Sequence, residues 1–186
     1  MNRVHIERFL GYLGHKLAEM EVQATVLLLG GALMVTQIGN RKSTQDIDIT
    51  IATSDPRIYR AVQQAIAQVT QEHNLPPTWI NDEVTIITDQ VGRPQAPKRW
   101  KTFENLTVFI PELDYVLDLK LFSARRQDDR DIKALAPLLG VETSEQAWAC
   151  LNRYVHPSLQ ARRMEDIKKA IKRCFQDKQQ PQRDNP

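Results

Sequence analysis

Two aspartates, Asp46 and Asp48, stand at a spacing that suits metal chemistry in this sequence of 186 residues. They alternate with isoleucines in residues 46–52, a pattern that predicts a β-strand with both acids on one face. Alternate side chains on a strand lie roughly 7 Å apart along the backbone. Carboxylates at that spacing can converge on one or two divalent cations, for which oxygen atoms are the preferred ligands.

A glycine pair stands just upstream of these acids, between a predicted strand and a predicted helix. Residues 24–29 are apolar and suit a buried strand, Gly30 and Gly31 end that run, and residues 32–38 are compatible with a helix. Backbone without Cβ atoms lets a phosphate come close, and the N–H groups that open a helix point at it. Together with a carboxylate-held metal, this turn suits phosphoryl or nucleotidyl transfer. The alternative is an ordinary turn followed by a solvated acidic strand.

The residues from Gly30 to Asp48 resemble the signature of the nucleotidyltransferase fold, the DNA polymerase beta-like superfamily. The pattern is most similar to the small bacterial branch that contains the AbiEii-type toxins. The residues that carry it are Gly30, Gly31, Ala32, Arg41, Ser43, Thr44, Asp46, Ile47 and Asp48. The resemblance implies that Gly30, Gly31 and the residues Arg41, Ser43 and Thr44 contact a nucleotide. It also implies that the two aspartates hold two Mg²⁺ ions.

Residues 120–135 resemble a second signature of the same branch. Lys120 interrupts the apolar stripe of a predicted helix, an expensive position unless its ammonium group finds a partner. Extension of the ammonium to the surface is the structural alternative. The resemblance implies that Lys120 binds the nucleotide phosphates and that Asp131 orients Lys120 or a substrate group. Asp128 is a candidate N-cap for the next helix.

Asp82 is the candidate for a third catalytic carboxylate. Residues 78–88 predict a third strand entered through a turn, and polymerase-like transferases often take another acid from a neighbouring strand to activate the attacking hydroxyl. The pattern of Trp79, Asn81 and Asp82 is also similar to the AbiEii-like branch. The alternative is an Asn-Asp turn that caps local backbone groups.

The remaining patterns predict an α/β (α+β) fold, a mixed sheet flanked by helices with a helical C-terminal portion. An amphipathic helix is predicted over residues 3–20, and another runs from residue 55 to about residue 73. Residues 89–102 predict a basic loop that either lies against a nucleic-acid backbone, with Trp100 stacked on a base, or is solvated and anchored by Trp100.

The C-terminal part predicts further helices, the last of them continuous from residue 158 to residue 175. That helix has a basic outer face, which is either solvated or suited to an RNA backbone. The predicted organisation is a nucleotidyltransferase-like domain over residues 1–140, a helical extension over residues 141–177 and a disordered tail over residues 178–186.

Composition excludes several broad classes. The chain is 41% hydrophobic and 26% charged with a net charge of +2, as in ordinary globular proteins, so nucleic-acid binding would need a local basic patch. The two cysteines lack metal-ligand or redox spacing and indicate a reducing compartment. No apolar run reaches the roughly 20 residues of a membrane span, so we expect a cytoplasmic protein without a membrane partner.

These patterns together predict a metal-dependent nucleotidyltransferase that moves a nucleoside monophosphate from a nucleoside triphosphate to an acceptor hydroxyl. The toxin-like relatives imply the end of a tRNA as acceptor, with a protein side chain as the second candidate and a cognate antitoxin as a partner. The main alternative is a non-catalytic protein of the same fold that binds a nucleotide, RNA or a partner protein.

Overall fold

A computed structural model describes residues 1–175 and divides the chain into two compact units. The first unit is Met1–Glu112 and the second begins at Leu113. The helix that contains Lys120 therefore belongs to the second unit, whereas the sequence analysis placed it in the domain of residues 1–140. The tail predicted for residues 178–186 lies outside the described residues.

The first unit is built around a five-stranded mixed sheet. Its elements are α1 (Arg3–Glu19), β1 (Ala24–Leu28), α2 (Gly30–Leu33) with a π-helical continuation (Met34–Ile38), β2 (Ile47–Ile51), α3 (Pro56–Glu72), β3 (Ile80–Asn81), α4 (Thr85–Val91), β4 (Lys98–Phe103) and β5 (Leu106–Ile110). The strand order is β3-β2-β1-β5-β4. β1 pairs antiparallel with β2 and parallel with β5, and β3 is parallel to β2. The predicted α/β class is confirmed.

Strand β2 shows the predicted alternation. Ile47 and Ile49 are fully buried, whereas Asp48 and Thr50 on the opposite face are half-buried. The strand begins at Ile47, so Asp46 lies in the bend that leads into it. One face of the strand therefore belongs to the core and the other carries polar groups.

The predicted third strand is wrong over most of its length. Only Ile80 and Asn81 pair with β2, and the segment from Thr85 onward forms helix α4. The Asn81 side chain accepts a hydrogen bond from the Glu83 backbone N–H at 3.2 Å. This turn ends the strand, and Thr85 N–H then donates to the Asp82 carbonyl as the helix starts.

The predicted basic loop is also wrong at its C-terminal end. Lys98 to Phe103 form strand β4, paired antiparallel with β5 through a turn in which Glu104 has a φ of 48°. The register shifts between Arg99 and Lys101, and a bulge of this kind is common at a sheet edge. Short strands with basic side chains suit an edge position, where charge opposes pairing with another chain.

The second unit is helical in the part that the structure describes. Its elements are α5 (Leu113–Ser123), a 3₁₀ turn (Arg126–Asp128), α6 (Asp129–Leu138), α7 (Ser144–Tyr154), α8 (Pro157–Arg162) and α9 (Met164–Phe175). Every residue of α5 from Tyr115 to Ser123 is buried. A helix apolar on nearly all sides belongs in the centre of a bundle, and α5 packs against α6, α7 and α9.

Two predictions for this unit are corrected. The last helix is interrupted at Arg163, whose guanidinium donates to the Ser123 carbonyl at 2.8 Å. Asp128 does not cap α6 with its side chain, because its carboxylate is used by other partners within the unit. None of the helices described in residues 1–175 has the length and apolarity needed to cross a membrane.

Candidate functional site

The turn after β1 brings the Asp48 carboxylate against Gly30. A Cβ atom built on Gly30 would lie 1.7 Å from Asp48 Oδ2, far inside van der Waals contact. Gly30 also has a φ of +56°, in the left-handed region that side chains disfavour. The Leu29 N–H donates to the Asp48 carbonyl at 2.9 Å, which fixes the two strands at this level. Glycine at this position is therefore required both by the backbone and by the carboxylate.

Gly31 meets the loop that precedes β2. A Cβ on Gly31 would lie 2.3 Å from Thr44 Oγ1 and 3.9 Å from Arg41 Nη1. The structure thus gathers five of the predicted residues around one turn: Gly30, Gly31, Arg41, Thr44 and Asp48. The assembly offers a carboxylate, a hydroxyl, a guanidinium and backbone without side chains.

Backbone hydrogen bonds hold this loop in place. The π-helical segment ends at Gly39, whose φ of 72° reverses the chain and whose N–H donates to the Met34 carbonyl. The Thr44 N–H donates to the Met1 carbonyl at 2.9 Å. The loop that supplies Arg41 and Thr44 is consequently tied to the chain at both ends.

The other two predicted residues of this segment are Asp46 and Ser43. Asp46 is half-buried in the bend before β2, two residues ahead of Asp48, and Ser43 is exposed. Their roles in metal and nucleotide binding stay predictions.

Asp82 is engaged by helix α3. The Tyr59 hydroxyl donates to Asp82 Oδ2 at 2.6 Å, and the Gln63 side-chain amide donates to the same oxygen at 3.2 Å. The hydrogen bond to Asp82 raises the pKa of Tyr59 above its ordinary value. Tyr59 itself is 42% exposed. The residue of β3 in register with Asp48 is Asn81.

Lys120 occupies a buried ionic cluster within the second unit. Its ammonium lies 2.6 Å from Asp128 Oδ1 and 2.9 Å from Asp131 Oδ2, and all three residues are buried. Ser123 and Arg125 also donate to Asp128. Burial opposes ionisation of Asp128, but the charges of Lys120 and Arg125 hold its pKa below the ordinary value.

The Lys120 ammonium therefore has buried partners and does not extend to the surface, which was the structural alternative. The predicted association of Lys120 with Asp131 is present in the geometry, and Asp128 joins it in place of capping a helix. Phosphate binding by Lys120 stays a prediction.

Asp118 is a buried acid that the sequence analysis did not single out. It is fully buried in α5, and its carboxylate has no nitrogen or oxygen donor within hydrogen-bond distance among the described residues. Burial raises its pKa to about 8, and the nearby Cys150 thiol only partly opposes this shift. Burial and Asp118 in turn raise the pKa of Cys150 to about 12. The sequence feature that could have identified Asp118 is an acid among the apolar residues of α5.

The donor set around Gly30 is compatible with magnesium. Mg²⁺ is commonly held by one or two carboxylates together with water and substrate phosphates, and not by a complete protein cage. Asp48, fixed beside the glycine turn, and Asp46 before it supply donors of that kind. The described residues contain no group of three or more His, Cys, Asp or Glu side chains arranged to hold a metal.

Comparison with known proteins adds no assignment. No protein-family model, no curated protein and no solved structure matches this chain.

Proposed function

We propose that the first unit binds a nucleoside triphosphate with Mg²⁺ and transfers its nucleoside monophosphate to an acceptor hydroxyl. The observation that carries the proposal is the close approach of the Asp48 carboxylate to Gly30, beside Gly31, Thr44 and Arg41. The oxygen atoms of a triphosphate accept hydrogen bonds from N–H and O–H groups that can approach closely, and a metal ion needs oxygen ligands. This turn offers both within a few residues.

Each residue has a defined part in this proposal. Asp46 and Asp48 would hold the metal, which would supply charge neutralisation at the phosphates. The Gly30–Gly31 backbone and the Thr44 hydroxyl would bind phosphate oxygens, and Arg41 would add a fixed positive charge. The acceptor oxygen would attack the α-phosphorus, form the new P–O bond and release pyrophosphate with the electron pair of the broken bond. The acceptor proton would pass to solvent or to a nearby base.

Calorimetry tests the binding step of this proposal, and a transfer assay then tests the reaction. The purified chain should bind at least one of the four nucleoside triphosphates in the presence of Mg²⁺ and much more weakly with a chelator. Incubation of each labelled triphosphate with total RNA or protein should then reveal the acceptor. The double variant Asp46→Asn with Asp48→Asn should lose metal-dependent binding and transfer while it keeps its fold. Transfer by that variant would remove the proposed mechanism.

One observation favours a second candidate function, nucleotide binding without transfer. The register partner of Asp48 on β3 is a neutral residue, Asn81, and Asp82 is occupied by two donors from α3. A site with two acids and no free third carboxylate has a weaker means of activating an acceptor hydroxyl. Metal-dependent triphosphate binding without any transferred label would select this function.

A further inference from the structure

We infer that Asn81, and not Asp82, is the residue that β3 contributes to the candidate site, where its side-chain amide donates a hydrogen bond to the phosphates of the bound triphosphate. This inference rests on the proposed function, because the ligand is the same metal–triphosphate complex. It changes the identity and the charge of the third polar residue that the sequence analysis expected.

Sheet register places Asn81 beside Asp48. Ile47 pairs with Ile80 and Asp48 pairs with Asn81 in parallel strands. Neighbouring strands lie roughly 4.8 Å apart, and register partners project to the same face of a sheet. Burial agrees with this assignment, because Ile47 and Ile80 are both buried while Asp48 and Asn81 are both half-buried.

Asp82 is committed to α3. Its Oδ2 accepts from the Tyr59 hydroxyl at 2.6 Å and from the Gln63 amide at 3.2 Å. These two donors come from positions one turn apart on α3, so they hold the carboxylate from the helix side. The arrangement gives Asp82 a local structural role that accounts for both contacts.

The Asn81 side chain is oriented with its donor group available. Its Oδ1 accepts the Glu83 N–H at 3.2 Å, which identifies the oxygen end of the amide. Its Nδ2 has no hydrogen-bond partner among the described residues. Triphosphate oxygens are acceptors, so an amide donor matches them, and a neutral residue adds no repulsion next to Asp48.

Two variants separate this role from a purely structural one. Asn81→Asp keeps an oxygen that can accept the Glu83 N–H, so the turn is retained, but it replaces the NH₂ donor with another acceptor. Asn81→Ser keeps a small hydroxyl for the turn without a new charge. Asp82→Asn is the matched comparison, because it changes the next residue by the same single group.

The readout is calorimetric binding of the triphosphate that the wild type prefers, in the presence of Mg²⁺. Thermal unfolding checks that each variant is folded. Removal of a hydrogen bond to a charged phosphate should weaken binding about tenfold or more. We expect that loss in Asn81→Asp and a smaller one in Asn81→Ser, and we expect Asp82→Asn to bind within about twofold of the wild type.

The possible failures are distinguishable. Wild-type binding that disappears in Asp48→Asn but is unchanged in both Asn81 variants would overturn the inference and leave the proposed site intact. A loss in Asp82→Asn as large as that in Asn81→Asp would also overturn it. Binding without transfer, with the expected loss in the Asn81 variants, would support the inference and reject the transferase. A wild type that binds none of the four triphosphates with Mg²⁺ would reject both.

Discussion

The glycine turn of the first unit and the lysine cluster of the second unit treat charge in opposite ways. Around Gly30 and Gly31 the acids are half-buried, and the backbone carries no side chain that would block an incoming group. Around Lys120 two aspartates already neutralise the cation at 2.6 Å and 2.9 Å, and the three residues are buried. The acids of the first arrangement keep partial contact with solvent, whereas the charges of the second are buried together.

This difference separates two meanings of a charged residue in an apolar segment. A buried cation with two buried partners is costly to disrupt but adds little over a well-packed apolar core. The half-buried Asp48 carboxylate lies so close to Gly30 that any side chain at position 30 would collide with it. Apolar packing alone does not require such an approach. Burial with two partners gives Lys120 a structural role, whereas binding by Asp48 is the proposal to be tested.

The largest effect is expected when the lysine cluster loses its cation. Lys120→Met should lower the free energy of unfolding by about 3–5 kcal/mol, because two buried carboxylates lose their main partner. Chemical denaturation at neutral pH measures this change. Lys168→Met is the matched control, since Lys168 forms an exposed pair with Glu165 and should cost at most about 1 kcal/mol. Equal losses in the two variants would remove the distinction between the two regions.

A pH-dependent effect is expected at Asp118. Its pKa in the folded protein is about 8 against an ordinary value of 3.8, so the unfolded chain loses its proton first as the pH rises. The free energy of unfolding of the wild type should therefore fall between about pH 4 and about pH 8 and level off above that range. Asp118→Asn should remove this decline of about 1.4 kcal/mol per pH unit and so be more stable than the wild type at pH 8.

Asp118→Leu provides the check on that interpretation. It removes the acid without leaving a polar group, so its pH dependence should match that of Asp118→Asn. Stability curves for wild type and both variants that stay parallel from pH 4 to pH 8 would contradict the prediction.

The glycine turn can be tested by a pair of alanine substitutions. Gly30 and Gly39 both have positive φ values, 56° and 72°, so alanine should strain either backbone by about 1 kcal/mol. Only at Gly30 would the new Cβ meet the Asp48 carboxylate, because nothing lies within 4 Å of the Cβ position at Gly39. Gly30→Ala should therefore weaken Mg²⁺–triphosphate binding at least about tenfold beyond Gly39→Ala. Equal affinities would show that Asp48 and the turn do not form one site.

The sequence predicted most of the elements that position the glycine turn. Helices α1 and α3 and strands β1 and β2 follow from apolar periodicity, because their core faces are continuous. The site residues of this segment are close in sequence, and a strand, a turn and an antiparallel strand bring them together with little dependence on the rest of the chain.

The remaining features depend on contacts between distant residues. The charged residues of strand β4 predicted a loop, but the backbone of this segment pairs with β5. Residues 84–88 are rich in β-branched side chains and read as a strand, yet the turn at Asn81 and the edge position of β3 favour a helix. The role of Asp128 also escaped prediction, because a buried lysine eight residues earlier competes with the cap position.

The smallest effect concerns Asp82, for which the pattern left two interpretations open and the geometry shows a bond to Tyr59. That hydrogen bond holds the pKa of Tyr59 above its ordinary value, because the carboxylate disfavours phenolate formation. Asp82→Asn should lower the pKa of Tyr59 toward 10.0, as followed by ultraviolet absorbance of the phenolate, with Tyr59→Phe used to subtract the other three tyrosines. Tyr59→Phe should cost about 0.5–1 kcal/mol in stability, the range of a partly exposed hydrogen bond, and should leave triphosphate affinity unchanged. If Tyr59→Phe instead weakens triphosphate binding as much as Gly30→Ala does, Asp82 belongs with the glycine turn, and the contrast between binding residues and structural residues has been drawn in the wrong place.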